Sequence, residues 1–311
     1  MRILVTGANG FIGRRLCRLL VDQGHAVRGA SRSGVGAVEG VDYQVADFTD
    51  PLSIKDSLDA IDCVVHLAGR AHVLNKQDDA AALYQAINHD ATLSLARQAM
   101  EAGVKRFVFV SSIGVNGNEG RFSEDSTPAP HADYARSKLA AEHSLRALLD
   151  GSTLQWVIVR PPLVYGADAP GNFRTLLKVV DKGIPSPFAA VCNGRSLISV
   201  DNLAMLLALA ASHPDAAGQV FLASEGSEVS TQQILTALAL GMQRRALSIP
   251  LPKALLAWLL KAAGKGDLCT QLCGSLTVDG SKAMRLLGYR PDTDTLRSLT
   301  EVGRQYRLSR Q

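Results

Sequence analysis

"RILVTGANGFIG", residues 2–13, sets an apolar strand against three glycines, Gly7, Gly10 and Gly13, at GxxGxxG spacing. The run "RILVT" (2–6) reads as a buried strand, and a helix is predicted over 11–23, with Gly24 as its stop. Glycines at such a turn permit a sharp bend and let backbone N–H groups come close to a pyrophosphate at the positive helix N-terminus. The spacing is one residue longer than GxGxxG. A glycine triplet alone says little, but one placed directly after a first strand in a βαβ setting says much more.

The βα alternation continues outward from that turn. Strands are predicted at "HAVRGA" (25–30), "VDYQVA" (41–46), "DCVVHLA" (62–68), "KRFVFVSS" (105–112) and "LQWVIVR" (154–160). A long helix is expected from Asp79, as N-cap, to Gly103, and another carries Tyr134; residues 113–132, rich in Gly, Pro, Ser and Asn, read as loop. This order predicts an α/β fold, a doubly wound parallel Rossmann sheet with helices on both faces. After about residue 165 the rhythm loosens, with a strand at "QVFLA" (219–223) and helices near 230–240 and 252–263. The expected division is a dinucleotide-binding domain at 1–165, with a return segment near 196–223. A smaller, mostly helical substrate-binding part would comprise 166–195 and 224–311, with the substrate in the cleft between them.

Composition narrows the function classes. The 311 residues are 47% hydrophobic and 20% charged, enough for a sizeable core, and the net charge of +4 is modest. No run of Lys and Arg with interleaved aromatics occurs, so no nucleic-acid partner is expected, while small anionic ligands are compatible. Five cysteines without a CxxC motif (Cys17, Cys63, Cys192, Cys269, Cys273) point to reduced thiols in a cytoplasmic protein. No His lies near Cys269 and Cys273, so no metal site is expected. The apolar start ends at Gly7, which argues against a signal peptide. "ALLAWLL" (254–260) is too short to span a bilayer; it reads as a core or subunit-contact helix, with peripheral membrane contact the less favoured alternative.

The remaining motifs carry chemistry. At the end of strand two, "GASRSG" lacks the Asp or Glu that would bind a ribose 2′-hydroxyl. Arg32, helped by Ser31 or Ser33, suits a 2′-phosphate instead, so NADP(H) is favoured and NAD(H) remains possible. Asp47 is placed to meet adenine, or to cap a turn. The small residues Ala68 and Gly69 in "HLAGR" allow a close backbone approach, and His66 reads as a packed core residue. Ser112, in "SSIGVNG" (111–117), lies at the carboxyl end of strand five, where open α/β sheets bind ligands. In "HADYARSKLAAE" (131–142), Tyr134 and Lys138 are one helical turn apart and share a face. A neighbouring Lys⁺ is expected to lower the tyrosine pKa and make it a usable acid–base group.

Taken together, GxxGxxG, Ser112, the YxxxK pair and "RPPLVYG" (160–166) resemble the extended short-chain dehydrogenase/reductase family, in its nucleotide-sugar epimerase/dehydratase branch. The likeness extends to "LGYRP" (287–291). The resemblance implies a catalytic set of Ser112, Tyr134 and Lys138, with Lys138 also on the nicotinamide ribose, and a structural or water-binding Asn88. It implies a cofactor lined by Gly7, Asn9, Gly10, Phe11, Ile12 and Gly13, by Ser31, Arg32 and Ser33, by Asp47 and Phe48, by Leu67, Ala68 and Gly69, and by Pro161 and Val164. Substrate contacts would come from Ser112, Val115, Asn116, Tyr134, Asn172, Phe173 and Arg195. Ile113 and Gly114 follow Ser112 where 4,6-dehydratases place Asp-Glu, which argues against dehydration. "SSIGVNG", "VRPPLVYG", "GNF" and "NGRSLISVDNLA" are similar to bacterial reductases of UDP-4-keto-6-deoxy-N-acetylhexosamine, which make UDP-N-acetylquinovosamine or UDP-N-acetylfucosamine for surface polysaccharides. A UDP-hexose 4-epimerase with retained NAD is the alternative, and a non-enzymatic dinucleotide sensor a third. A homodimer paired along the helices near 79–102 and 133–149 is expected by the same resemblance.

Overall fold

The computed structural model describes residues 1–310 except 48–49, 71–79 and 263–265. Its main sheet is built from strands that alternate sides residue by residue. In β1 (Arg2–Thr6), Ile3 and Val5 enter one apolar cluster and Leu4 the opposite one. The same division holds for β4 (Cys63–His66), with Cys63 and Val65 against Val64, and for β5 (Arg106–Val110), with Val108 and Val110 against Phe107 and Phe109. Strands buried on both faces read as unbroken apolar runs, which is why these segments were legible.

The other strands are β2 (Ala26–Ser31), β3 (Val41–Val45), β6 (Gly120–Phe122), β7 (Gln155–Arg160), β8 (Leu163–Tyr165), β9 (Arg195–Ser199), β10 (Gln219–Leu222), β11 (Glu228–Val229) and β12 (Leu276–Val278). The helices are α1 (Phe11–Asp22), α2 (Ala80–Tyr84), α3 (Ala91–Glu101), α4 (Asp133–Leu149), α5 (Gly171–Asp181) and α6 (Val200–Ser212). They continue with α7 (Thr231–Gly241), α8 (Lys253–Ala262), α9 (Gly266–Cys273), α10 (Ser281–Leu287) and α11 (Thr295–Leu308). Seven strands pair in parallel in the order β3-β2-β1-β4-β5-β7-β10. Helices α1 and α6 cover one face through Leu16, Leu20, Leu203 and Leu207; α3 and α4 cover the other through Leu95, Ala99, Leu145 and Leu149. Strand order reverses at β1, between β2 and β4, and opens a crevice at the carboxyl ends of those strands.

The C-terminal region is helical, as expected, and it also holds a small second sheet, β11-β9-β12-β6, with β8 paired to β9. Strand β6 lies inside the segment read as loop. It pairs in parallel with β12, more than 150 residues away, and no local pattern signals such a partner. A second core forms where α5, α7 and α11 bring together Phe173, Leu177, Leu238 and Leu299. There α7 and α11 cross at glycines: a Cβ on Gly241 would lie 1.8 Å from the Thr300 carbonyl oxygen, and one on Gly303 2.4 Å from that of Leu238. The buried Glu225 carboxylate joins α6 to α11, accepting from the Ser199 N–H (2.6 Å), Asn202 Nδ2 (2.8 Å) and Thr295 Oγ1 (2.7 Å). Among the described residues no helix is long and apolar enough to cross a membrane.

The long helix expected from Asp79 to Gly103 is present as one continuous helical run over 80–101, with Gly103 at φ +74° just beyond it. Asp79 lies outside the described residues, and within the run a π-helical turn, Gln85–Asp90, joins α2 to α3. A π-turn admits one extra residue and re-aims its side chains. Here it contains Asn88, fully buried, whose hydrogen bonds offset the poorer helical geometry.

Candidate active site

The glycine turn is closed to side chains. Gly7 has φ +68°, and a Cβ there would lie 3.1 Å from the Ala68 nitrogen. At Gly13, a Cβ would stand 2.2 Å from the Gly7 carbonyl oxygen, so α1 can start this close to β1 only with glycine. Beside the turn is a cavity of about 820 Å³. Gly7, Asn9 and Gly10 line it from the turn, Ser31, Arg32 and Ser33 from the end of β2, Asp47 from the end of β3, and Leu67, Ala68 and Gly69 from the end of β4. His66, Arg70 and Ile87 complete the lining, and the sequence reading assigned none of these three to the cofactor.

Asn9 organises the β2 end. Its Nδ2 donates to Ser31 Oγ (2.9 Å), to Ser33 Oγ (3.0 Å) and to the Val35 carbonyl, while its Oδ1 is buried without a partner. A glycine cradle that excludes Cβ atoms and a buried orphan acceptor beside it suit a ligand rich in donors and phosphate oxygens. Arg32 is exposed on the cavity wall. Asp47 is exposed as well, its backbone N–H donating to Ser53 Oγ (2.9 Å). Phe48 lies outside the described residues. Several other expected cofactor residues do not line this cavity. Phe11 packs its ring on Gly166, Ile12 and Val164 pack against the core, and Pro161 is buried, accepting from the Ile113 N–H at 2.9 Å.

A buried polar chain runs from this cradle to α4. Thr6 Oγ1 accepts from the N–H groups of Leu67 and Ala68, both at 3.1 Å, so its own proton goes to His66 Nδ1 at 2.8 Å. Thr92 Oγ1 donates to the Asn88 carbonyl (2.8 Å) and therefore accepts from His66 Nε2–H (3.1 Å). These partners specify the neutral Nε2–H tautomer. Burial, with the Lys138 charge, holds the His66 pKa down at about 3, in keeping with that state. Asn88 Oδ1 then accepts from the Arg70 N–H (2.8 Å), and its Nδ2 donates to the Arg70 carbonyl and to Ser137 Oγ, both at 3.1 Å. Ser137 Oγ donates to the Tyr134 carbonyl at 2.8 Å. Sequence flagged Asn88 and His66 singly; Thr6, Thr92 and Ser137, which connect them, gave no signal.

Helix α4 brings the YxxxK pair onto the end of β5. Lys138 is buried; its Nζ donates to the Val110 carbonyl at 2.9 Å and lies 4.5 Å from the centre of the Phe109 ring. Burial lowers its pKa to about 8. Gly69 packs tightly here, since a Cβ would lie 3.0 Å from Asn88 Oδ1 and 3.3 Å from Lys138 Nζ. Ser112 caps the short 3₁₀ turn Ile113–Val115, its Oγ accepting from the Gly114 N–H at 3.1 Å. A Cβ on Gly114 would touch both Ser112 Oγ and Ala135 Cβ at 3.4 Å, so the Ser112 turn packs on α4 beside Tyr134. Tyr134 is half-buried with Tyr84 edge-on at 5.9 Å. Burial, with the nearby Tyr84, pushes its pKa up to about 12. That corrects the expected lowering by Lys138: burial disfavours the phenolate, and the Lys138 ammonium is directed to the Val110 carbonyl instead.

The expected substrate contacts divide. Val115, Asn116 and Phe173 are almost without exposure, and a side chain with no accessible surface offers none to a ligand, so these three are corrected to packing residues in this conformation. Asn116 Oδ1 accepts from Arg160 Nη1 (3.0 Å), and Arg160 also donates to Glu142 through Nε (2.9 Å) and Nη2 (2.5 Å). Asn172 and Arg195 remain accessible and converge on one segment. Asn172 Nδ2 donates to Gln271 Oε1 (3.0 Å) and Arg195 Nη1 to the Gly274 carbonyl (3.4 Å).

A model of the NAD dependent epimerase/dehydratase family matches residues 3–223. The chain is 39% identical over 297 residues to a Vibrio cholerae protein named UDP-glucose 4-epimerase, covering 93% of this chain and 90% of the relative. It is 28% identical over 331 residues to a 2-alkyl-3-oxoalkanoate reductase of Stenotrophomonas maltophilia, with 94% and 95% covered. Among solved structures, MoeE5 in complex with UDP-glucose and NAD superposes with a TM-score of 0.81 at 26% identity, over 100% of both chains.

Proposed function

Because the chain belongs to the NAD-dependent epimerase/dehydratase family, we propose that it reduces the C4 ketone of a UDP-4-keto-6-deoxy-N-acetylhexosamine with NADPH. What carries this reading is the β2 end of the cavity: Arg32 stands on its wall, and no carboxylate occupies "GASRSG" to bind a ribose 2′-hydroxyl. Gly7, Gly10 and Gly13 would hold the pyrophosphate, Ser31, Arg32 and Ser33 the 2′-phosphate, and Lys138 the nicotinamide ribose. When bound, the nicotinamide supplies the hydride to C4.

The chain's own residues handle the proton. Tyr134, whose phenol carries its proton at neutral pH, would donate to the oxygen at C4 as negative charge develops there. Ser112 holds that oxygen by a hydrogen bond. Asn88, fixed by Arg70 and Ser137, keeps the α4 turn beneath Tyr134 in place. Asn172 and Arg195 would approach the diphosphate of the sugar nucleotide from the second part of the chain, 166–195 with 224–311, against a cofactor domain of 1–165 with a return at 196–223. The same reading carries a cytoplasmic homodimer paired along α3 and α4.

One observation favours a second reading. The 39% identical relative is named a UDP-glucose 4-epimerase, and in such a reaction the same residues would act in both directions on a retained NAD. The test is purified protein with UDP-4-keto-6-deoxy-N-acetylglucosamine and NADPH, followed by loss of reduced-cofactor absorbance. Stoichiometric oxidation is expected, with Tyr134→Phe reducing turnover by about 10²- to 10⁴-fold while leaving NADPH affinity intact. No oxidation, together with C4 epimerisation of UDP-N-acetylglucosamine without added cofactor, would establish the epimerase instead.

A further inference from the structure

We infer that the face formed by α8 and the segment before it docks on an anionic lipid bilayer. Five large apolar side chains stand exposed around it: Trp258 at 65%, Leu247 at 51%, Ile184 at 50%, Ile249 at 49% and Leu255 at 44%. Leu255 and Trp258 are three residues apart and share the outward side of α8, while Leu256 is buried beneath. Two backbone bonds sew residues 184–188 to 247–250: Ser186 N–H donates to the Leu247 carbonyl (2.9 Å) and Ile249 N–H to that of Ser186 (2.8 Å). Ile184 thus lies beside Leu247 and Ile249 rather than as a scattered surface residue. Exposed apolar side chains grouped on α8 and on the paired strip before it mark a contact site.

Charge selects the occupant. From 229 to 266 the sequence has five basic residues and no Asp or Glu. Arg244, Arg245 and Lys261 are exposed on the same elements, and of the three only Arg244 has an acidic neighbour among the described residues, Asp181 at 3.7 Å. A second copy docking through the same face would bring these cations onto one another, since a two-fold contact places each patch against itself. A bilayer carrying anionic headgroups offers apolar depth for Trp258 and Leu255 and countercharge for the flanking cations. An interfacial Trp on a short amphipathic helix with basic flanks has the chemistry of a helix lying in the headgroup plane.

The full chain is sedimented with large unilamellar vesicles of phosphatidylcholine alone or with 30 mol% phosphatidylglycerol, at about 0.15 M salt. Binding is expected to be at least roughly tenfold stronger with phosphatidylglycerol, and to fall by a similar factor in Trp258→Ser and in Arg244→Glu/Arg245→Glu. These positions are exposed, so unchanged circular dichroism separates lost docking from lost fold. Binding to neither vesicle, equal binding to both, or a Trp258→Ser variant that instead dissociates a dimer would overturn the inference. So would preferential capture by polyglutamate over the vesicles, which would reassign the face to an acidic polypeptide.

Discussion

Replacing Lys138 with Met removes an ammonium from a site that holds it at a cost. Burial takes the Lys138 pKa from 10.5 to about 8. At ~1.36 kcal/mol per pH unit, this is a penalty of about 3 kcal/mol for keeping the charge inside the fold at neutral pH. That figure is net of the ammonium's bond to the Val110 carbonyl and its place over the Phe109 ring. Methionine fills similar volume without charge, so Lys138→Met should be more stable than wild type at pH 7 by up to about 3 kcal/mol, although inactive under the proposed mechanism. Below pH 8 the folded and unfolded wild-type chains both bind the proton, and the penalty is present in full. Between pH 8 and 10.5 the unfolded chain keeps the proton while the folded one releases it, so wild-type stability rises with pH and the variant loses its advantage. Urea unfolding of both cofactor-free proteins at pH 7, 8.5 and 10, followed by circular dichroism, measures this; tyrosine titration is common to the two and cancels. A variant less stable than wild type at pH 7, or a difference that does not change with pH, would refute the reasoning.

Glu142→Gln leaves the buried Arg160 without its countercharge and should cost about 3–5 kcal/mol in urea unfolding, with Glu142→Gln/Arg160→Met recovering much of it. Gly241→Ala places a Cβ 1.8 Å from the Thr300 carbonyl oxygen and should force α7 from α11, lowering stability by about 1–3 kcal/mol with dinucleotide affinity retained; an unchanged melting temperature would count against the close crossing. Thr92→Val removes the acceptor for His66 Nε2–H and should cost about 1–3 kcal/mol, and a neutral result would mean the buried chain is not closed as described.

What could be read without coordinates was local. The apolar runs of β1, β4 and β5 announce themselves because burial on both sheet faces leaves no polar position in them, and the glycine turn because its residues are consecutive in the chain. YxxxK likewise lies on one helix turn. Ten of the expected cofactor residues line the cavity because they sit at strand ends that the alternation of β and α already implied. Properties set by distant partners were not legible. The pairing of β6 with β12, the π-turn around Asn88, and the burial of Val115, Asn116 and Phe173 all depend on packing between remote segments. The Tyr134 pKa moved opposite to expectation for the same reason: spacing announces a lysine nearby, but only tertiary structure fixes where its Nζ points and how dry the phenol is.

Strand β10 is separated in sequence from its partner β7 by about sixty residues, yet it closes that side of the main sheet. During synthesis the glycine turn and the other six strands of the main sheet emerge well before it. Until residue 222 has left the ribosome, β7 therefore presents a row of unpaired backbone groups along Val157, Ile158 and Val159, an apolar edge open to any passing chain. A nascent chain whose emerged part ends between residues 160 and 218 would hold the cradle segments and an unguarded border at once, which makes that interval the stage of biosynthesis at which chaperone capture should peak.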